Sequence, residues 1–96
     1  MDDVTAPYTR LVNPKRLLVR IVAGHQRNVG FRELCALVSA FGFRLARIEG
    51  SHHIYQHDEI AEQLNLQDVR GEAKPYQIRQ FLRLVERYDL RMKGES

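Results

Sequence analysis

The chain has 96 residues, of which 44% are hydrophobic and 28% charged. This is the composition of one ordinary globular domain, and it excludes a fully disordered chain. No apolar run approaches the roughly 20 residues that a membrane helix needs, and no signal-peptide core is visible. Cys35 is the single cysteine, which excludes an internal disulfide. We therefore expect one domain over residues 1–96, located in a reducing cytoplasm.

The net charge of +3 is unevenly distributed along the chain. Residues 1–32 carry six Lys or Arg against two acids, and residues 70–96 carry seven against four. Residues 33–69 carry only two Lys or Arg against six acids. Two basic flanks around an acidic middle can bind a polyanion such as nucleic acid. Solvated helix faces explain the same charges without any ligand, so charge alone leaves both interpretations open.

Two helices are predicted first, over residues 14–23 and 31–41. Asn13 is a good N-cap and Pro14 suits the first helical position, where its missing N–H costs nothing. A glycine follows each helix and can end it in the left-handed conformation. The apolar stripe of the first helix consists of Leu17, Leu18, Ile21 and Val22, and that of the second of Phe31, Leu34, Cys35, Val38 and Phe41.

Three strands and a closing helix follow. Residues 43–57 read as two strands, because apolar residues that favour pleated positions flank a turn containing Gly50. The segment "EQLNLQDV" alternates apolar and polar residues and predicts a third, weaker strand. A proline opens the final helix, over about residues 75–89. The apolar face of this helix is predicted to contain Ile78, Phe81, Leu82, Val85 and Tyr88.

This order of elements predicts an α+β fold. A meander of three antiparallel strands must cover its apolar side, and only the flanking helices can do so. We therefore expect a two-layer sandwich, with a three-stranded antiparallel sheet and helices on one face. The other face of the sheet is left open to water or to a ligand.

The segment "IEGSHHIYQH", residues 48–57, places three histidines within six residues. A metal site is one interpretation. On a strand, however, His53 and His57 share a face with their Cα atoms roughly 13 Å apart, at about 3.3 Å per residue, which is too far for one ion. No metal and no cofactor is therefore predicted. His57 precedes an acidic turn and is expected to be solvated.

Acid–base chemistry is the second interpretation of these histidines. Histidine exchanges a proton near neutral pH, and RNA carries a 2′-hydroxyl that attacks the adjacent phosphodiester once it is deprotonated. A histidine just after Gly50, at the mouth of an open sheet, can supply the base. If Tyr55 is the buried residue of its strand, His52 is exposed. If Ile54 is buried instead, His53 is exposed, and the pattern alone leaves both possibilities open.

The stretch "FRELCALVSAFGFRLARIEGSHHIYQH" resembles the opening of the HicA toxin family. In that family a helix ends at a Gly-Phe-like turn, a strand follows, and Gly-Ser-His or Gly-Gly-His begins the next strand. The Gly-Phe at 42–43 and the Gly-Ser-His at 50–52 match this pattern. "LNLQDVRGEAKPYQIRQFLRLV" is similar to the third strand, the polar loop with Gly and Lys, and the closing helix of the family.

The resemblance implies a fold like the double-stranded-RNA-binding domain over residues 29–90, preceded by an extension, residues 1–28, with an extra short helix. It also implies cleavage of messenger RNA without a ribosome, and a HicB-like antitoxin partner that covers the active surface. The family needs a histidine on its second strand. That residue is His52 here, with His53 in reserve, because some members carry the histidine one place later.

The predicted function is therefore a HicA-like endoribonuclease of the bacterial cytoplasm, which cleaves single-stranded RNA without a metal. The residues predicted to contact RNA are Gly50, Ser51, Lys74, Arg79 and Arg83. The alternative is a non-catalytic RNA- or protein-binding module on the same fold. The acidic segment "DEIAEQ" after His57 favours this alternative, because an acidic strand edge repels phosphate.

Overall fold

The computed structural model describes residues 13–93. In chain order the elements are α1 (Pro14–Val22), β1 (Val29–Gly30), α2 (Phe31–Ala40), β2 (Arg44–Glu49), β3 (His52–Gln56), β4 (Leu64–Gln67), β5 (Glu72–Ala73) and α3 (Pro75–Arg87). The fold is α+β, with a three-stranded antiparallel sheet in the order β2-β3-β4. This confirms the predicted fold class. Within residues 13–93, no helix is long and apolar enough to cross a membrane.

The helix ends follow from local side chains. Asn13 precedes α1, and its Oδ1 accepts a hydrogen bond of 3.1 Å from the backbone N–H of Arg16. At the start of α2, the N–H of Gly30 donates to the carboxylate of Glu33 at 2.9 Å. Pro75 is the first residue of α3, where a proline costs no helical hydrogen bond. These contacts satisfy backbone groups that a bare helix end leaves unpaired.

A two-residue ladder that the sequence did not predict joins β1 and β5. Val29 pairs with Ala73 in an antiparallel register. The N–H of Phe31 extends the ladder by donating to the carbonyl of Gly71 at 2.8 Å. Because the ladder is antiparallel, α2 begins at one end of it, and α3 begins two residues beyond the other end.

The turn between β2 and β3 sets the register of the sheet. Gly50 has a φ of +62°, in the left-handed region that glycine adopts without strain. This turn pairs Glu49 with His52, and on the other side His52 pairs with Gln67 of β4. His52 therefore lies on the central strand, with a neighbour opposite it on each side.

The core lies between the helices and one face of the sheet. The Phe81 ring of α3 packs edge-on against Phe41 and Phe43, with ring centroids 5.4 and 6.2 Å apart. These three rings join α3 to the turn that connects α2 with β2. The other buried members of this core include Leu17, Ile21, Val29, Phe31, Leu34, Leu37, Val38, Tyr55, Leu64, Leu66, Ala73, Ile78 and Leu84.

The buried face of α3 differs from the prediction at two positions. Leu84 is buried although it was not assigned to the apolar face. Tyr88 was assigned to that face, and this is wrong, because its side chain is 40% exposed and its hydroxyl donates to Glu62 at 2.7 Å. The helix ends at Arg87, so Tyr88 forms the C-cap and no longer follows the helical face.

The prediction that His57 is solvated is also wrong. Its side chain is only 8% exposed, and its Nε2 lies 3.0 Å from the carbonyl oxygen of Phe41. The backbone N–H of Glu59 donates to its Nδ1 at 3.1 Å. Because that N–H can only donate and the carbonyl can only accept, the ring is held with its hydrogen on Nε2. His57 therefore has a structural role, and its ring also packs edge-on against Phe43.

Candidate functional site

The adjacent histidines of β3 lie on opposite faces of the sheet. Tyr55 belongs to the core, and His53, two residues away, shares its side. His52 lies on the other face together with Ile54, which is buried but is not part of the core. The sequence left open whether His52 or His53 lies on the open face of the sheet. In the structure it is His52 that lies on the face away from the helices.

The His52 ring is half-buried and makes one side-chain hydrogen bond among the described residues. Its Nδ1 lies 3.1 Å from Oδ1 of Asn65 on β4. Glu49 and Gln67 are its direct neighbours across the two strand pairs. Gln67 bonds the preceding turn instead, since its Nε2 donates to Oγ of Ser51 at 3.3 Å. Among the described residues, Nε2 of the His52 ring has no hydrogen-bond partner.

Sequence reasoning missed the polar neighbours of His52. Asn65 and Gln67 alternate with Leu64 and Leu66 in β4, so the pattern did contain their shared face. It did not contain the register that sets Asn65 beside His52, because strand pairing is a tertiary property. On β2, Glu49 is also engaged, with one carboxylate oxygen 2.6 Å from Nε of Arg47.

Several chain segments meet near His52, and we call this part of the molecule the His52 end. It comprises the turn at residues 50–51, the start of β3, the end of β4, and the first turns of α2 and α3. A direct bond joins β4 to α3 here, because the N–H of Gln67 donates to Oε1 of the buried Gln77 at 3.1 Å. The N-terminus of a helix carries partial positive charge, and α3 has no side-chain cap at Lys74.

Arg70, in a tight turn, is a second cation at the His52 end, in addition to Lys74. Arg70 and Gly71 both have positive φ, +55° and +83°, and the Gly71 N–H donates to Oδ1 of Asp68 at 2.7 Å. Arg70 is thereby held at the tip of the turn in a conformation that is uncommon for a residue with a side chain. Arg70 and Lys74, with Val69 and Glu72, line a polar surface cavity of about 470 Å³.

The predicted arginines of α3 are not part of the His52 face. Arg79 and Arg83 are exposed on α3, in the helical layer behind the sheet, and Arg79 lies 3.5 Å from Oε1 of Gln26. Arg87, at the far end of the helix, forms an ion pair with Glu62 at 3.2 Å. The structure therefore brings the Gly50–Ser51 turn and His52 together, has Lys74 at the same end, and leaves Arg79 and Arg83 on the other layer.

The acidic segment after His57 lies at the end of β3 opposite to His52, and its charges are partly neutralised. Asp58 bonds the guanidinium of Arg44 at 2.5 Å, and this bond and the charge of Arg44 lower the pKa of the Asp58 carboxyl. Glu62 is paired with the arginine at the end of α3. The repulsion of phosphate that this segment suggested is therefore reduced and remote from His52.

The three histidines of the sequence cluster do not converge. His52 and His53 lie on opposite faces of the sheet, and His57 is bonded to the backbone of Phe41 and Glu59. Within the described part of the chain, no group of three or more His, Cys, Asp or Glu side chains is placed to hold a metal ion.

His53 lines a cavity on the helical side of the sheet. Its ring packs edge-on against Phe31, with centroids 4.8 Å apart, and its buried Nδ1 has no hydrogen-bond partner in the described part of the chain. The cavity, of about 360 Å³, also involves Cys35 and Tyr55. Burial raises the pKa of the Cys35 thiol, which keeps it protonated and makes it a poor nucleophile.

Tyr55 is expected to make the free energy of unfolding fall at alkaline pH. Burial, and hydrogen bonding to Cys35, raise the pKa of its hydroxyl above the ordinary value of 10.0. The folded state therefore holds a proton that the unfolded state releases, so stability decreases above about pH 10, by up to about 1.4 kcal/mol per pH unit for this group. Tyr55→Phe is expected to flatten this decrease. Urea unfolding between pH 8 and pH 11 measures it.

Tyr76→Phe is the matched control, because it removes a hydroxyl from a side chain that is 54% exposed. The stability of this variant should decrease at alkaline pH as much as that of the wild type. An equal slope in the Tyr55→Phe variant and the wild type would show that Tyr55 does not cause the decrease.

Comparison with known families identifies a match. The sequence model of a family described as "HicA toxin of bacterial toxin-antitoxin" matches residues 31–86, more than half of the chain. The match begins at the first residue of α2 and ends within α3, so it includes His52 and the whole three-stranded sheet. Helix α1 lies outside it. No curated protein and no solved structure matches the chain.

Proposed function

The chain belongs to the HicA toxin family of bacterial toxin–antitoxin systems, and we propose that it is an endoribonuclease that cleaves single-stranded messenger RNA without a metal. The observation that carries this proposal is the position of His52. It begins β3 directly after the Gly50–Ser51 turn and faces away from the helices, and one of its ring nitrogens is held by Asn65 while the other has no partner among the described residues.

The reaction needs a base, positive charge near the phosphate, and a proton for the leaving oxygen. Nε2 of His52 takes the proton of a ribose 2′-hydroxyl, and the 2′-oxygen then attacks the adjacent phosphorus. The bond from phosphorus to the 5′-oxygen breaks, and that oxygen takes a proton from the imidazolium or from water. The products are a 2′,3′-cyclic phosphate and a free 5′-hydroxyl, and no protein nucleophile is required.

The turn before His52 shapes the approach of the phosphate. A Cβ added at Gly50 would meet no atom within 4 Å, so the space above this residue is open. Its exposed backbone allows a phosphate to approach closely, and the Ser51 hydroxyl, held by Gln67, can donate to a phosphate oxygen. Lys74, at the start of α3, supplies charge at the same end, where the helix terminus also favours an anion.

The arginines of α3 bind the RNA further from the cleavage site. Arg79 lies in the second turn of the helix and Arg83 one turn beyond it, so a strand that leaves the His52 end past Lys74 meets them in that order. Among residues 13–93, Arg79 makes a long contact with the Gln26 amide, whereas Arg87 is engaged by Glu62. RNA affinity is therefore more sensitive to the beginning of α3 than to its end.

Arg79→Ala is expected to weaken RNA binding more than Arg87→Ala. One lost phosphate contact changes affinity by several-fold, and the salt slope on single strands falls by about 0.7. Both side chains are exposed, so each substitution should change stability by no more than about 0.5 kcal/mol. Titration of both variants against one fluorescent RNA, at two salt concentrations, measures the difference. If both variants bind the RNA with the affinity of the wild type, α3 is not part of the RNA-binding surface.

The proposed activity is tested with purified protein, single-stranded RNA and excess EDTA. Cleavage to products that end in a 2′,3′-cyclic phosphate is expected. RNA binding without cleavage would instead favour the alternative, a non-catalytic binding module. Loss of cleavage in EDTA that is restored by added Mg²⁺ would contradict the metal-free mechanism.

The proposed partner is a HicB-like antitoxin that covers the His52 face, in the bacterial cytoplasm. An antitoxin is implied because the family consists of the toxins of toxin–antitoxin systems. On the edge strand β2, Leu45 and Ile48 pair with Tyr55 and His53 and so lie on the helical side of the sheet, where they are 46% and 54% exposed. Exposed apolar side chains on an edge strand provide a surface on which a protein partner can pack.

A further inference from the structure

Asn65 is the one described residue whose side chain holds the His52 ring. The two residues are diagonal neighbours on adjacent strands, because His52 pairs with Gln67 and Asn65 pairs with Ile54. Both project from the same face, and the bond between Nδ1 and Oδ1 is 3.1 Å. Gln67 lies directly opposite His52, but its side chain bonds Ser51 and leaves the ring to Asn65.

The chemistry of this bond fixes the distribution of hydrogens on the ring. An amide oxygen has no hydrogen to donate, so Nδ1 of His52 must carry the hydrogen in the bond to Asn65. In the neutral ring the lone pair then lies on Nε2, which is the edge turned to the ligand. A side chain that selects this tautomer makes Nε2 a proton acceptor from the outset.

The amide oxygen of Asn65 can accept this bond from Nδ1 whether or not Nε2 carries a proton. The charged groups facing His52 are Glu49 and, through its ion pair, Arg47, both on β2. From β4, on the other side, His52 meets only the neutral amides of Asn65 and Gln67.

We infer that Asn65 is a positioning residue that holds His52 in the tautomer with Nε2 as proton acceptor. This inference rests on the proposed function for its consequence in catalysis. The arrangement of the ring itself is independent of that function. Asn65 acts through the histidine and is not required to touch the RNA.

The test compares the wild type with Asn65→Leu and Asn65→Asp. Leucine is of similar size and cannot accept a hydrogen bond, whereas aspartate keeps the acceptor and adds a charge. The ring nitrogens of ¹⁵N-histidine-labelled protein report the tautomer directly in two-dimensional NMR. The wild type should carry its hydrogen on Nδ1 at alkaline pH, aspartate should keep this state, and leucine should lose it.

The rate of RNA cleavage should fall in the variant that loses the Nδ1-protonated tautomer of His52. Asn65→Leu is expected to lower kcat by about 10- to 100-fold, as the loss of a residue that orients a histidine does elsewhere, with KM little changed. Asn65→Asp should retain more activity than leucine, and its negative charge should move the acid limb of the rate profile to higher pH. Gln56→Ala, which removes an amide from the same face four residues along β3 from His52, is the control and should leave both measurements unchanged.

Two results would overturn the inference. One is a wild-type ring with its hydrogen on Nε2, and the other is a leucine variant with the tautomer and kcat of the wild type. If the wild-type protein does not cleave RNA, the proposed function is contradicted instead. The NMR comparison of the wild type and the leucine variant would still decide how Asn65 holds the ring.

Discussion

His52→Ala is expected to lower RNA cleavage by about 10²- to 10⁴-fold, the usual contribution of a general base or acid. The side chain stands on the open face of the central strand, and its one bond within the described chain is with Asn65. Its removal should therefore leave the fold intact, with a change in stability of no more than about 1 kcal/mol. Cleavage rate in EDTA and thermal midpoint, measured on the same preparation, test this expectation.

His53→Ala is the matched variant, because it removes the same side chain from the adjacent position. His53 faces the helical layer and packs on Phe31, so its loss should reduce stability while cleavage persists. If His52→Ala cleaves as fast as the wild type and His53→Ala does not cleave, the reserve assignment is correct. The site would then be the cavity on the helical side of the sheet.

Much of the fold was predictable because its signals are local. Asn13 and Pro14 mark the start of α1, and Pro75 marks the start of α3, and the structure has all of them at those positions. Alternation in "LNLQ" identified β4. The β1–β5 ladder was missed because a two-residue strand has no periodicity to detect. Its pairing is a tertiary property, because Val29 and Ala73 lie far apart in the sequence.

The site was less predictable, because pairing and burial decide it. Ile54 and Tyr55 are both apolar and both buried, so no local pattern could tell which of the adjacent histidines is exposed. Tyr55 faces the helices because the core lies on its side, and this sets His52 on the open face. The contact with Asn65 depends on the register of β3 against β4, which depends in turn on the loop between them. The resemblance to the family indicated His52, and the geometry adds its surroundings.

The third histidine of the cluster shows how the same residue type serves a different purpose a few positions away. His57 lies where the turn after α2 meets the segment after α3, and the N–H of Lys93 donates to the carbonyl of Ala40 at 2.6 Å in the same region. The close packing is visible at Gly42, where an added Cβ would lie 3.1 Å from Nε2 of His57. A histidine fills this site because it can accept from one backbone group and donate to another.

His57→Ala is accordingly expected to destabilise the protein by about 2–4 kcal/mol, a large share of the roughly 5–15 kcal/mol that hold a domain together. The change leaves the Phe41 carbonyl and the Glu59 N–H without their partner and removes the ring that packs on Phe43. Urea unfolding measures the loss. His25→Ala, at an exposed position after α1, is the control and should stay within about 0.5 kcal/mol of the wild type.

The activity of the remaining folded His57→Ala molecules distinguishes a structural role from a catalytic one. His57 lies at the opposite end of β3 from His52 and makes no contact with it, so cleavage per folded molecule should match the wild type at low temperature. Together with His52→Ala, this gives opposite outcomes at two histidines five residues apart, with activity lost at one and stability at the other. A His57→Ala protein as stable as the wild type would mean that the two backbone groups find other partners, and that the ring is not what holds this turn.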